Sequence, residues 1–298
     1  MFRAGFVSIL GRPNAGKSTL LNALVGEKLA IVAKKPQTTR TAIQGVLNAG
    51  DAQIVFVDTP GIHKSDTLFN KRMMDTVRAA LEDRDLLLFV ADAVQPPGEE
   101  DARAVSILNR SGAPAFLALN KIDRLPNKAV LLERIEQYRA LHDFREYYPI
   151  SALTGDGLDA LKKGIIEYLP EGEPLFPADY ITDQPERFLV AELIREKILE
   201  ATHQEVPHST AVLVDRWEET PKLIRIYATI YVEREGQKAI VIGAGGGMLK
   251  QIGTAARTEA ERLLGRKIYL ELFVKVKPNW REDPQFLNEI DWRSMAGL

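Results

Sequence analysis

The sequence predicts a mostly parallel α/β domain with helices on both faces of its sheet, followed by a smaller α+β domain. Three features carry that reading. Short runs that are apolar throughout alternate with helical stretches from Gly5 to about Leu169, and a strand without a polar face belongs in a sheet covered on both sides. The segment LPEGEPLFPADY, Leu169 to Tyr180, concentrates Pro and Gly and breaks every periodicity, as a connection between domains does. Beyond it the order becomes helix, two strands, two helices and a strand, which no longer alternates. The expected division is therefore 1–170, a linker 171–184, a second domain 185–280 and a C-terminal tail 281–298.

Each element has its own warrant. FVSIL, ending at Leu10, is the first strand, and a helix from Ser18 to Val25 follows a glycine-rich turn. AQIVFVD (Ala52 to Asp58) is the next strand and leads to a helical stretch reaching Leu81. DLLLFVAD precedes a helix around Ala102 to Leu108, PAFLALN one from Ala129 to Leu141, and YYPISA one from Leu158 to Leu169. In the second domain Phe188, Leu189, Leu193 and Ile198 fall near one face of a helix from Pro185 to Ala201. Alternation in STAVLVDRW and KLIRIYATIYV marks strands Thr210 to Trp217 and Lys222 to Glu233, and the last strand runs from Ile268 to Val276. Before the glycine-rich turn, AIVI reads as a strand or as a helix end.

Composition narrows the function classes. The 298 residues include 39 basic and 41 acidic side chains, so nucleic-acid binding must rest on a local patch rather than on the field of the whole chain. No cysteine is present, which excludes a disulfide framework and thiolate chemistry and fits a reducing, cytoplasmic setting. The N-terminal MFRAGFVSIL has one Arg ahead of a short apolar run and reads as a strand rather than a signal peptide. No apolar run approaches the roughly 20 residues of a spanning helix, so membrane contact, if made by a helix, is peripheral.

GRPNAGKST, Gly11 to Thr19, lies between a strand and a helix, the setting of a phosphate-binding loop. Between Gly11 and Gly16 the residues Arg12, Pro13, Asn14 and Ala15 wrap the phosphates, and the helix N-terminus adds its positive end. Lys17 is placed for the β- and γ-phosphate oxygens and the Ser18 hydroxyl for Mg²⁺, with Thr19 beside it. A plain glycine turn with a helix cap is the bland alternative. The bare pattern arises by chance in roughly one chain in a hundred of this length, and here both flanks match. DTPG, Asp58 to Gly61, ends the strand IVFVD, where Asp58 reaches the Mg²⁺ shell and the Gly61 N–H meets the γ-phosphate. Thr59, Pro60 and Ile62 belong to the same segment. So short a pattern recurs by chance about once per chain, and its position gives it weight. NKID, Asn120, Lys121, Ile122 and Asp123, ends PAFLALN. A carboxylate at Asp123 accepts from the N1–H and 2-amino groups of guanine, which adenine does not present together, so this motif supplies base identity; the alternative is an ordinary polar loop.

GRPNAGKST, PQTTR, DTPG, NKID and SAL stand in the order of the five guanine-nucleotide motifs of the Era and Der group of translation-factor-type GTPases, which the first domain resembles throughout. The resemblance implies a P-loop GTPase domain binding GTP and GDP, with Mg²⁺ held by Ser18, Thr39 and Asp58. Thr39, rather than Thr38, is then the switch threonine, and Lys17, Thr39, Asn14 and Gly61 carry hydrolysis. Ser151, Ala152 and Leu153 lie at the base, the first two offering backbone N–H groups to guanine O6. Two departures from Ras-like enzymes bear on mechanism. Ile62 stands where those enzymes place a glutamine that orients the attacking water, and His63 beside it is read as a bystander. In relatives an asparagine at the position of Asn14 is associated with a K⁺ ion that replaces an arginine finger, so K⁺ joins Mg²⁺ as an expected cofactor.

In the second domain AIVIGAGGGMLKQIGTAAR carries a Gly-x-x-Gly turn at Gly243, Ala244, Gly245 and Gly246, followed by a helix with Leu249, Ile252 and Ala256 on an apolar face. Such a turn alone is weak evidence, since any tight helix–helix connection can use it. From Lys238 to Lys277 eight Lys or Arg, among them Lys238, Lys250 and Arg257, stand against three Glu, an excess that suits a phosphate backbone. VEREGQKAIVIGAGG and LELFVKVKPNW resemble the C-terminal KH domain (type II) of Era proteins, so the resemblance spans nearly the whole chain and the two-GTPase architecture of Der is excluded. It implies binding of 16S rRNA near its 3′ end, a role in 30S subunit assembly, a monomeric state, and peripheral association with the inner face of the cell membrane, for which no amphipathic or lipidation signal appears here. Ala244, Gly245 and Met248 occupy positions where relatives often carry basic residues. Two competing readings are an RNA-binding assembly protein whose nucleotide site regulates without appreciable turnover, and an ATP-dependent P-loop enzyme, which NKID disfavours.

Overall fold

The structure is a computed structural model and describes residues 1–33, 35, 38–62, 67–202 and 206–293. It divides into two compact units, Met1–Ala30 with Thr39–Ser65 and Arg72–Asp183, and Ile31–Thr38 with Asp66–Lys71 and Gln184–Leu298.

The first unit is built on a six-stranded sheet in the order β2-β3-β1-β4-β5-β6. The strands are β1 (Arg3–Leu10), β2 (Ile43–Ala49), β3 (Ala52–Asp58), β4 (Leu86–Asp92), β5 (Ala115–Asn120) and β6 (Glu146–Pro149). All neighbours are parallel except the β2–β3 pair. Helices α1 (Lys17–Val25), α2 (Leu68–Ala79), α3 (Glu99–Ser111), α4 (Val130–Arg139) and α5 (Leu158–Tyr168) complete it. Along β4, Leu86, Leu88 and Val90 enter one core with Leu20, Leu24 and Leu161, while Leu87, Phe89 and Ala91 enter a second with Val77, Leu108 and Tyr138. Both faces of one strand are thus buried, which is why its sequence shows no alternation. From β1 the chain reaches β3 on one side and β4 on the other, and at such a reversal the carboxyl ends of the strands leave a crevice for ligands.

The sequence reading did not include β2. IQGVLNA mixes apolar with polar residues and contains a glycine, a weak strand signal on its own; it forms by antiparallel pairing with β3, from Ile43↔Asp58 to Ala49↔Ala52. Its other edge is covered by the segment after α5. Val46 N–H donates to the Ile181 carbonyl (2.8 Å), the Thr182 hydroxyl to the Gln44 carbonyl (2.6 Å) and Asn48 Nδ2 to the Ala178 carbonyl (2.9 Å). Gln53, fully buried on β3, completes the attachment: Oε1 accepts from the N–H groups of Leu175 and Phe176, and Nε2 donates to Asn48 Oδ1 and the Phe176 carbonyl. An edge that would otherwise offer unpaired backbone groups is closed.

The second unit contains α6 (Glu186–Ala201), β7 (Ala211–Glu219), β8 (Ile224–Val232), α7 (Glu235–Ile242), α8 (Gly247–Leu264), β9 (Ile268–Val276) and α9 (Pro284–Ile290). β7 and β8 are antiparallel and β8 and β9 parallel. Ile226, Ala228 and Ile230 on one face of β8 pack with Ile194, Ile198, Ile252 and Ala256 of α6 and α8. AIVI resolves as the end of a helix, α7. Within the segment expected as a tail, α9 places Phe286 against Tyr231 at a ring separation of 4.8 Å. Among the described residues no helix is long and apolar enough to cross a membrane.

Candidate nucleotide site and nucleic-acid interface

The motifs of the first unit meet at the carboxyl ends of its parallel strands. Gly11 to Gly16 follow β1, Asp58 ends β3 and Asn120 ends β5. Gly16 caps α1 at φ 99°, and a Cβ there would lie 2.2 Å from Asn120 Nδ2, so the approach of the two loops requires glycine. Asn120 is 2% exposed and joins three segments: Nδ2 donates to the Ala15 carbonyl (2.9 Å), while Oδ1 accepts from the N–H groups of Lys121 (2.8 Å) and Ala152 (2.9 Å).

Lys17 is buried, and its ammonium donates to the carbonyls of Gly11 (3.2 Å) and Arg12 (3.1 Å). Burial holds it below the ordinary lysine range, against the pull of Asp58. Asp58 is fully buried and shifted upward by loss of water, which Lys17, Ser18 and Thr39 oppose. Its Oδ2 accepts from the hydroxyls of Ser18 (2.7 Å) and Thr39 (3.3 Å), which lie 2.6 Å from each other. Its Oδ1 is buried without a hydrogen-bond partner. One carboxylate with a free buried oxygen and two hydroxyls form an oxygen set suited to a hard divalent cation. Thr38 turns away, donating to the Lys35 carbonyl at 2.6 Å.

Asp123 is exposed, and its Oδ1 accepts from the Ser151 hydroxyl at 2.6 Å. The amides expected to face guanine O6 are otherwise engaged: Ser151 N–H donates to the Asp156 carbonyl (2.9 Å) and Ala152 N–H to Asn120. They brace the base loop from behind, while Leu153 stands 78% exposed. Ile62 is 3% exposed and packs in a core with Leu10, Met74, Val77 and Leu87, so its side chain is withdrawn into the protein. His63 lies outside the described residues.

In the second unit Gly243 and Gly246 have φ 71° and 78°, and Ala244–Gly246 form a 3-10 turn that ends at α8. A Cβ on Gly243 would come within 2.6 Å of Met248 Cβ. Next to this turn, between α8 and β9, an open cleft of ≈ 370 Å³ is lined by Gly246, Lys250, Gly253, Arg257, Leu270 and Leu272, among others. The fold brings Gly246, Lys250 and Arg257 together there, whereas Lys238 lies on α7 and does not line it.

The profile of the 50S ribosome-binding GTPase family matches residues 6–121, and that of the KH domain residues 205–281. GTPase Era of Geobacter metallireducens is 51% identical over 98% of both chains, and that of Syntrophus aciditrophicus 52% identical over 98% of this chain and 96% of its own. The chain belongs to the Era family of GTPases. A crystal structure of Era in complex with MgGDPNP and a fragment of 16S ribosomal RNA matches with TM-score 0.95 and 41% identity, covering 98% of this chain and 99% of that one. A point variant of Aquifex aeolicus Era bound to GDP and AlF4⁻ matches with TM-score 0.94, 41% identity and the same coverage. In this member of the Era family the residues absent from the sequence reading are Asp92, Asp101 and Tyr138, buried beside the phosphate loop. Asp92 had a signal, since it ends an apolar strand as Asp58 does; Asp101, in the first turn of α3, reads as an ordinary acidic helix start, and Tyr138, in the last turn of α4, had no signal.

Proposed function

We propose that the chain binds and hydrolyses GTP in its first domain and binds 16S rRNA, near its 3′ end, through the KH domain, acting in maturation of the 30S subunit. The observation that supports the nucleotide reading is the buried Asp58 carboxylate, one oxygen of which has no partner while the other accepts from the hydroxyls of Ser18 and Thr39. Ser18, Thr39 and Asp58 are the residues that would hold Mg²⁺, which supplies charge neutralisation for the transferring phosphoryl group. Lys17 exchanges its two carbonyl contacts for β- and γ-phosphate oxygens, a favourable trade for a buried ammonium. Residues 11–19 cradle the phosphates, the Gly61 N–H meets the γ-phosphate, Asp123 reads guanine, and residues 151–153 close the base pocket. Asn14, exposed at φ 60° in the loop, is the residue assigned to a K⁺ ion.

For RNA, the Gly243–Gly246 turn lets a backbone approach closely while Lys250, Arg257 and, from α7, Lys238 meet phosphates. Nucleotide function is assigned to 1–170 and RNA function to 185–280, joined by 171–184 and followed by the segment 281–298. The protein acts as a cytoplasmic monomer that associates peripherally with the membrane. Asp123→Asn tests the base assignment directly, because the amide offers a donor to the 2-oxo group of xanthine. GTP affinity should fall roughly ten- to a hundred-fold and xanthosine triphosphate should become the better substrate. An unchanged preference for GTP would overturn the assignment. Single-turnover hydrolysis by the wild type separates this reading from an RNA-binding protein with a silent nucleotide site.

A further inference from the structure

Behind the phosphate loop lies a charged cluster that none of these roles uses. Arg12 offers its carbonyl to Lys17, but its guanidinium turns elsewhere, to Asp101 at 3.3 Å and Asp92 at 3.6 Å. Asp101 is 2% exposed; its Oδ1 accepts from the hydroxyl of fully buried Tyr138 (2.9 Å) and its Oδ2 from Gly98 N–H (3.0 Å). Burial and Asp101 together push the Tyr138 phenol well above its usual range, so it stays a donor. Asp92, 7% exposed, accepts from Val94 N–H through Oδ1 (3.0 Å) and receives the Lys121 ammonium on Oδ2 (2.7 Å). That ammonium also donates to the Asn14 carbonyl at 2.6 Å, and the Lys121 backbone sits in the left-handed region at φ 70°.

A single carboxylate at the end of β4 therefore stands between a cation of the phosphate loop and a cation of the base loop. We propose that Asp92 is a positioning residue for the nucleotide, clamping the NKID loop to the phosphate loop through Lys121 and Arg12 so that base and phosphates are held at one spacing. The inference rests on the reading of NKID as the guanine site. Without the charge at Asp92 the two cations lose their shared counter-ion in a place with little water to screen them. Arg12 keeps Asp101, whereas the Lys121 ammonium keeps only the neutral Asn14 carbonyl among its described contacts, so the base loop loosens more. None of the described contacts of Asp92 goes to Lys17, Ser18, Thr39 or Asp58, which leaves the phosphoryl-transfer groups in place once nucleotide is bound.

The test uses the full chain and two variants, Asp92→Asn, which keeps shape and acceptor but not charge, and Asp92→Ala. GDP affinity should weaken and the KM for GTP rise by roughly ten-fold in Asp92→Asn and up to about a hundred-fold in Asp92→Ala, while kcat at saturating GTP stays within about two-fold. A double-mutant cycle of Asp92→Asn with Lys121→Ala on GDP binding should be strongly non-additive. Should Asp92→Ala fail to fold, the isosteric Asp92→Asn carries the decision. An unchanged KM in folded Asp92→Asn, a fall in kcat matching any rise in KM, or an additive cycle would overturn the proposal. Asp123→Asn, assayed in parallel, separates the two layers: retained guanine preference there removes the base-site reading itself, whereas lost preference there with wild-type GDP affinity in Asp92→Asn removes only the clamp.

Discussion

Ile62→Ala separates packing from chemistry at a position where related enzymes use a polar side chain. The isoleucine is 3% exposed, and the core it joins draws on three elements among others: Leu10 on β1, Met74 and Val77 on α2, and Leu87 on β4. Truncation to Ala costs about 2 to 5 kcal/mol in buried sites, the larger values where the surroundings cannot collapse. Leu10 and Leu87 are fixed in the sheet while Met74 is adaptable, which places the expected loss at about 3 kcal/mol. For a unit of this size that corresponds to a fall in Tm of roughly 6 to 12 °C, readable by thermal melting of nucleotide-free protein, with Ile62→Val losing only about 1 kcal/mol. Chemistry should survive, because the side chain has no proton-transfer or dipolar group: single-turnover hydrolysis below the transition should stay within about three-fold of wild type. A Tm unchanged in Ile62→Ala would refute the burial argument. Complete loss of single-turnover activity, with fold and nucleotide binding intact, would refute the chemical one.

Three further outcomes follow from the geometry. Gln53→Leu removes four hydrogen bonds, three of them to the strap over β2 and one to Asn48, and should cost roughly 2 to 4 kcal/mol; amide exchange at Leu175 and Phe176 should rise sharply, and unchanged protection there would show that the strap does not depend on this side chain. Replacing Gly243 and Gly246 with Asp should abolish RNA binding while leaving GTP hydrolysis near its RNA-free rate, because positive φ and close approach are lost and two negative charges are added. Retained, salt-sensitive RNA binding would move the interface elsewhere. K⁺ should accelerate GTP hydrolysis over Na⁺ at equal ionic strength, by less than the roughly 10³-fold or more of an arginine finger. Asn14→Gly should erase most of that difference without the strain that Ala meets at φ 60°, and equal wild-type rates in the two salts would remove the cation assignment.

The nucleotide motifs were legible because their chemistry is local: Gly16, Lys17 and Ser18 are consecutive with Gly11 five residues before Gly16, and Asp58 and Asn120 each end an apolar strand whose burial is written in its own composition. The helix–strand order of the second domain and its glycine turn were legible for the same reason, since period and turn chemistry act over a few residues. What depends on partners far along the chain was not. Residues 175–182 cover β2 because a fully buried glutamine more than a hundred positions away supplies matching donors and acceptors, whereas β2 itself pairs with its neighbour β3 across Gly50 and Asp51 and was hidden only by its mixed polar and apolar pattern. Whether AIVI is helix or strand was open until packing chose, because short apolar runs satisfy either period.

The site divides along the same line. The sequence by itself put forward Lys17, Ser18, Asp58 and Asp123 as the groups for phosphate, metal and guanine, because those assignments rest on side-chain chemistry at short spacing. Only the tertiary structure decided that the amides of Ser151 and Ala152 turn inward, and that Asp92, Asp101 and Tyr138 meet behind Arg12. Each is a question of direction and of juxtaposition across separate elements. A buried polar group must find its partner wherever the packed chain brings one within hydrogen-bond reach, and a linear string of residues carries no record of that distance.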